Sequence, residues 1–77
     1  MNINRNKVYK WVDISSAFPN KWAIITDVKE RNGMIYTCKV LDICTHDEKA
    51  VLIRKYKEMG IKFECERTTF SAPNMGI

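Results

Sequence analysis

The chain has 77 residues, of which 45% are hydrophobic and 29% are charged, a composition typical of one soluble globular domain. No apolar stretch approaches the roughly 18 residues that a membrane-spanning helix needs, and no apolar segment follows Met1 as in a secretory signal peptide. The net charge of +4 permits an anionic partner, although basic and acidic residues are interspersed. We therefore expect a cytoplasmic protein with a small core.

The beginning of the chain is polar. Residues 1–7 are rich in asparagine and are predicted to form a flexible arm. Val8–Ile14 carries apolar and aromatic residues but is too short for its periodicity to indicate a helix or a strand. Asp13 is suited to cap a single helical turn through Phe18, which Pro19 would end.

A β-hairpin is the clearest prediction. Trp22–Arg31 has the composition of a strand, and Asn32-Gly33 follows it. Asparagine and glycine are favoured in a two-residue type I′ turn because both central residues adopt positive φ. Met34–Thr45 is predicted as the returning strand.

A helix is predicted next, because Thr45 and Glu48 have the spacing of a capping box. Leu52, Tyr56 and Met59 then lie on one helical stripe. Gly60 suits the left-handed position that closes a helix, so the helix is expected to run to about Met59.

A third strand is predicted over Ile61–Phe70, where apolar and charged residues alternate. The predicted fold is therefore α+β with the order ββαβ: a three-stranded mixed sheet with one helix packed on one face. Residues 8–70 form the single domain, and residues 71–77 form a tail. A right-handed crossover makes the second and third predicted strands parallel. The strand orders 1-2-3 and 3-1-2 both remain open.

The two-residue turn also predicts the hairpin register, in which Arg31 faces Met34, Ile25 faces Val40 and Trp22 faces Ile43. One sheet face, assigned to the helix, then carries these residues: Trp22, Ile24, Leu41 and Ile43. The opposite face is also apolar, and includes these residues: Ala23, Ile25, Met34, Tyr36, Cys38 and Val40. A face this apolar should be covered.

Two kinds of cover remain open. One is the chain itself, through these residues before and after the hairpin: Val8, Trp11, Val12, Ile14, Phe70, Met75 and Ile77. The other is a second molecule, either another copy in a homodimer or a target protein. In that case the predicted partner-binding residues are Trp11, Ile25, Met34, Tyr36 and Val40.

No catalytic, metal or cofactor site is predicted. His46 and Cys44 lie near Asp42 and Asp47, but no glycine-bearing oxyanion loop accompanies them. Four carboxylates that can share the outer face of the sheet are interpreted as solvated charge, and these are Asp27, Asp42, Glu64 and Glu66. The three cysteines lack CxxC spacing, and the three glycines are isolated, which argues against a zinc site and a phosphate-binding loop.

The alternative function is nucleic-acid binding. Basic residues alternate with Tyr9 and Trp11 in the N-terminal arm, and more lie on the predicted helix. The candidate residues are Arg5, Lys7, Lys10, Lys49, Arg54 and Lys57. No known nucleic-acid-binding motif accompanies them.

Phe18-Pro19-Asn20-Lys21-Trp22 and Arg67-Thr68-Thr69 bracket a region that resembles a group of short uncharacterised proteins from low-GC Gram-positive bacteria and their phages. In size and setting the chain is also similar to phage-encoded inhibitors of bacterial defence, such as anti-CRISPR proteins. The resemblance implies stoichiometric inhibition of a bacterial defence complex, in the cytoplasm of the host. The leading sequence-based hypothesis is a small protein-binding module without enzymatic activity, because the short chain carries more apolar face than it can cover and offers no credible active site.

Overall fold

The structure is a computed structural model that describes residues 2–68. Its elements are β1 (Val8–Lys10), α1 (Trp11–Ala17), β2 (Lys21–Arg31), β3 (Met34–Cys44), α2 (His46–Glu58) and β4 (Glu64–Thr68). The strands form one sheet in the order β1-β3-β2-β4, and each neighbouring pair is antiparallel. The α+β class is confirmed, and the described residues form four strands and two helices.

The predicted three-stranded mixed sheet is wrong in detail. After α2, the chain crosses to the far side of β2, so β4 pairs with β2 and not with β3. The open strand order is thus resolved as 3-1-2 for the predicted strands, with β1 added beside β3. Both β3 and β4 run antiparallel to β2, so they are parallel to each other without being neighbours.

The segment that could not be classified contains two elements. Val8–Lys10 pairs with Thr37–Lys39, and α1 begins directly at Trp11. Lys10 provides no side-chain cap, and Asp13 lies in the first turn of α1 instead of capping it. A three-residue strand and a seven-residue helix are too short to be stable alone, so tertiary contacts must stabilise them.

The hairpin turn is confirmed, with φ of 55° at Asn32 and 77° at Gly33, and with Arg31 opposite Met34. The register then shifts at three places along the ladder. The two shifts nearest the turn cancel each other, so Ile25 faces Val40 as predicted. The last shift lies beside Leu41, so Trp22 faces Cys44 and the predicted pairing with Ile43 is wrong.

The chain itself covers the part of the predicted apolar face around Ile25 and Val40, whereas Met34 and Tyr36, predicted on the same face, stay exposed. Ile14 of α1 is fully buried, and Trp11 and Phe18 pack beside it. The core beneath α1 consists of these residues: Tyr9, Ile14, Ala23, Ile25, Cys38 and Val40. Val8 and Val12, also considered as cover, are exposed. Phe70, Met75 and Ile77 lie outside the described residues.

The opposite face packs against α2. The predicted capping box is present: Glu48 N donates to Thr45 Oγ1 at 3.3 Å, and Thr45 N donates to Glu48 Oε1 at 3.0 Å. Tyr56 is fully buried on this side, and its ring meets that of Phe63 edge to face at 6.2 Å. Met59, predicted on the buried stripe, is exposed beyond the last helical residue.

The N-terminal segment before β1 contacts both the sheet and helix α2. Asn4–Lys7 forms a turn in which Lys7 N donates to Asn4 O at 3.1 Å. Arg5 Nη2 donates to the Tyr56 hydroxyl, and Arg5 Nε donates to Leu41 O, both at 3.1 Å. Arg5 therefore links the beginning of the chain to α2 and β3.

Candidate interaction surface

Half of the β2–β3 hairpin extends beyond the rest of the sheet. Among the described residues, β4 pairs only with Lys21–Ile25 of β2, and β1 pairs only with Thr37–Lys39 of β3. The remaining part, residues 26–36, is called the hairpin arm. Within residues 2–68 the two strands of the hairpin arm pair only with each other.

Length explains why the hairpin arm projects. An eleven-residue strand spans about 36 Å, whereas the thirteen-residue helix α2 spans about 20 Å. The helix begins beside the end of β3 distant from the turn, so it cannot reach the turn. The dimensions of 43 × 26 × 24 Å reflect this elongated shape.

The two sides of the hairpin arm differ. Val28 and Ile35 point toward the α1 side and pack against the core. Alternation then places Lys29, Arg31 and Met34 on the α2 side, as their ladder pairings also require. This second side of the arm has no helix above it.

An aromatic and a thioether side chain are exposed on the uncovered side. Met34 has 71% of its surface exposed and Tyr36 has 38%. The guanidinium carbon of Arg31 lies 4.0 Å from the centroid of the Tyr36 ring, a cation–π contact. Arg31, Met34 and Tyr36 thus form one contiguous patch, called the arm patch.

The hairpin arm starts at an irregularity in β2. Asp27 has φ of 50° and its Oδ2 lies 3.3 Å from Lys39 Nζ on β3. Asp27 is largely exposed, so this ion pair contributes little stability. Lys39 nevertheless neutralises the Asp27 carboxylate at the base of the hairpin arm.

An open groove of 530 Å³ lies beside the base of the hairpin arm. On one side it is lined by Ile25 and Thr26–Val28 of β2. On the other it is lined by α2 and the connection to β4, through these residues: Lys57, Ile61, Lys62, Phe63 and Glu64. Thr26–Val28 are also the first residues of the hairpin arm, so the groove and the arm adjoin each other.

The residues predicted to bind a partner differ in their exposure. Met34 and Tyr36 lie at the surface, as that prediction requires. Ile25 and Val40 have no exposed surface, because α1 and Tyr9 cover them, so they cannot contact a partner in this conformation. Trp11 is half-buried against the same core.

Several residues of the nucleic-acid alternative have contacts within the chain. Arg5 binds Tyr56 and Leu41, and Lys7 Nζ lies 5.3 Å from the centroid of Tyr9. Lys49 Nζ lies 3.7 Å from the centroid of Trp22. The remaining candidates are exposed, and these are Lys10, Arg54 and Lys57.

The environment of Cys44 does not favour a nucleophile. Its thiol is almost completely buried, and this burial, reinforced by the negative potential of Cys65, Asp42 and Glu48, raises its pKa. A raised pKa depletes the reactive thiolate at neutral pH. His46 is turned to Trp22, with 6.2 Å between the ring centroids.

The four predicted carboxylates do not form a cluster. Asp42 Oδ2 accepts a hydrogen bond from the Tyr56 hydroxyl at 3.2 Å on the α2 side, whereas Asp27 pairs with Lys39. Burial and the adjacent Asp42 carboxylate raise the pKa of Tyr56, against the opposing effect of Arg5. Within the described residues, no group of three or more potential ligands is arranged to hold a metal ion.

No protein-family model, no curated protein and no solved structure matches the chain significantly. The resemblance to short proteins of Gram-positive bacteria and phages therefore stays a prediction, as does the cytoplasmic location. Of the helices in residues 2–68, none is both long and apolar enough to cross a membrane.

Sequence reasoning missed Arg31 and Lys29 as surface candidates. The signal was available, because the correctly predicted pair Arg31–Met34 places both side chains on one side of the hairpin. Comparing the strand length with the helix length would also have predicted an uncovered arm. What concealed the arm was the assumption that apolar residues on one face need a single common cover.

Proposed function

We propose that this protein is a non-enzymatic protein-binding module that acts by stoichiometric contact through its hairpin arm. The observation that carries the proposal is the arm patch, which neither helix covers. Tyrosine, methionine and arginine are enriched in protein interfaces, and tyrosine and arginine supply many binding hot spots. A projecting two-stranded ribbon also presents such side chains with little steric hindrance.

The contacts favour protein over nucleic acid as the partner. Base stacking needs an accessible aromatic face, but Arg31 already occupies one face of Tyr36 and Lys49 lies over Trp22. Met34 is the most exposed large apolar side chain among the described residues, and an apolar thioether suits a protein surface better than a phosphate backbone.

The proposal is limited to protein contact. Inhibition of a bacterial defence complex and a phage origin follow only from the sequence resemblance, and nothing in the fold adds to them. A homodimer is one form of the proposed contact, and the test below distinguishes it by the mass of the product.

Photo-crosslinking tests the proposal. A photoreactive benzoylphenylalanine replaces Met34 in cells that naturally carry the gene, and the matched control replaces Val51, which is equally exposed on α2. We expect a discrete protein adduct from position 34 and none from position 51. Adding Tyr36→Ala should weaken the adduct, since loss of a hot spot costs about 2 kcal/mol of binding free energy.

Three results would contradict the proposal. They are equal labelling from positions 34 and 51, an adduct insensitive to Tyr36→Ala in a folded variant, and an adduct that nuclease removes. Circular dichroism of each variant establishes that it is folded, which is expected because the substituted side chains are exposed.

A further inference from the structure

We infer that the hairpin arm recognises an acidic protein surface. This inference rests on the proposed function and adds the chemistry of the partner. The argument depends on how the hairpin register distributes charge between the two sides of the arm.

The uncovered side of the arm is cationic. Lys29 and Arg31 point to this side, together with Lys39, whereas Glu30 faces Ile35 and points to the α1 side. Asp27 is the acidic residue near this surface, and Lys39 neutralises it at 3.3 Å. Lys29 and Arg31 have no acidic partner within residues 2–68.

The adjoining groove extends the positive surface. Lys57 and Lys62 line it, opposed there by Glu64. Ladder alternation places Glu64 on the α1 side, because it faces Ile25. The arm and groove together therefore carry four cations, at Lys29, Arg31, Lys57 and Lys62, against three carboxylates, those of Asp27, Glu30 and Glu64. Lys39 at the base of the arm neutralises Asp27, and Glu30 points to the α1 side, so the uncovered side is cationic.

Arg31 is arranged to bind a carboxylate. Stacking on Tyr36 restrains the planar guanidinium without using its N–H donors. An oriented guanidinium can donate two parallel hydrogen bonds to one carboxylate. Exposed Met34, opposite Arg31, offers apolar contact to the same partner. Acidic and apolar groups side by side are the chemistry of a protein surface.

Charge reversal tests this inference on the adduct formed at position 34. The test variant is Lys29→Glu/Arg31→Glu, and the matched control is Arg54→Glu/Arg67→Glu, which makes the same net-charge change at exposed sites, on α2 and at the end of the sheet distant from the turn. We expect the test variant to lower the adduct yield at least about tenfold and the control to change it less than about twofold. Polyglutamate should compete for the adduct more strongly than sodium chloride at equal ionic strength.

The outcomes separate the two proposals. If the adduct forms but the test and control variants behave alike, or polyglutamate and salt compete equally, the acidic-partner inference is overturned and the proposed function stands. If the protein with benzoylphenylalanine at position 34 and no other substitution forms no adduct, the proposed function is wrong. Adducts that nuclease removes overturn both. Should Lys29→Glu/Arg31→Glu lose its folded circular dichroism spectrum, Lys29→Gln/Arg31→Gln replaces it, with a reduced adduct yield still expected.

Discussion

Two buried hydroxyl groups illustrate opposite roles for similar side chains. Thr68 Oγ1 accepts a hydrogen bond from Lys21 N at 2.8 Å and lies against the carbonyl oxygens of Phe18 and Lys21, to one of which it donates. Ser15 Oγ is buried in α1 and has no partner in the described part of the chain. Thr68 thus secures β4 to the start of β2, whereas Ser15 is desolvated without compensation.

Substitution at these two positions should shift stability in opposite directions. Thr68→Val keeps the shape but leaves Lys21 N without its acceptor, so it should lower the unfolding free energy by about 1–3 kcal/mol. Ser15→Ala removes the unpaired hydroxyl and favours the helix, so it should raise stability by about 0.5 kcal/mol. Urea denaturation measures both. A destabilised Ser15→Ala variant would show that the hydroxyl is satisfied in solution.

The Cys38 thiol makes the free energy of unfolding depend on pH in the alkaline range. Burial raises the pKa of this thiol from 9.0 to about 11, so the folded state retains the proton more tightly than the unfolded chain. Its contribution to stability is therefore complete below pH 9 and is lost as pH rises toward 11. Between pH 8 and 11, wild type should lose more unfolding free energy than Cys38→Ala. Parallel denaturation curves would contradict this assignment.

At the scale of the elements, the most informative feature is the part of β3 beyond β1. β1 ends its pairing at Lys39, and the described chain places no strand beside Leu41–Cys44 on that side. Two main-chain groups there are nevertheless occupied: Arg5 Nε binds Leu41 O, and Ile43 N binds Asp42 Oδ1 at 3.0 Å. An occupied edge is less able to pair with a strand of another molecule.

Removing the Arg5 side chain should therefore increase self-association. Arg5→Ala frees Leu41 O and also the Tyr56 hydroxyl, which keeps Asp42 in place. Light scattering over a range of protein concentrations should show a larger mass for Arg5→Ala than for the exposed-arginine control Arg54→Ala. If both variants match wild type, Arg5 does not protect this edge.

The whole molecule consists of a packed half and a projecting half. In the packed half, α1 and α2 lie on opposite faces of the sheet, and the fully buried residues include Ile24, Ile25 and Val40. In the projecting half, the hairpin arm packs Val28 and Ile35 against the core on the α1 side, and on the side without a helix it exposes Met34 and Tyr36. Partner binding in the proposed function uses the half that contributes least to the core.

Hydrogen exchange should reveal this division. Amides of residues 23–25 and 38–40 should exchange only on global unfolding, because they lie in the paired and buried centre of the sheet. Amides of residues 29–36 should exchange through local opening, at least about 100 times faster. Mass spectrometry of overlapping peptides provides the measurement. Uniform exchange along the hairpin would mean that the arm is covered in solution.

Local physics made some of this fold predictable from the sequence. Asn32-Gly33 and the pair Thr45/Glu48 act through the backbone of their immediate neighbours, so the turn and the helix start were predicted correctly. The pair Arg31–Met34 followed from the turn alone. Met34 and Tyr36 were predicted to bind a partner because an unbroken register placed them on the apolar face opposite the helix, whereas the structure exposes them on the uncovered side of the hairpin arm.

The sequence by itself determined the hairpin, its turn and the capped helix, because each depends on residues within a few positions of one another. Only the tertiary structure decided the strand order, the register beyond the irregularities, and the cover over Ile25 and Val40. Those features depend on contacts between residues that are far apart in the chain. The three-residue strand β1 and the seven-residue helix α1 form because they bury the sheet face beneath them.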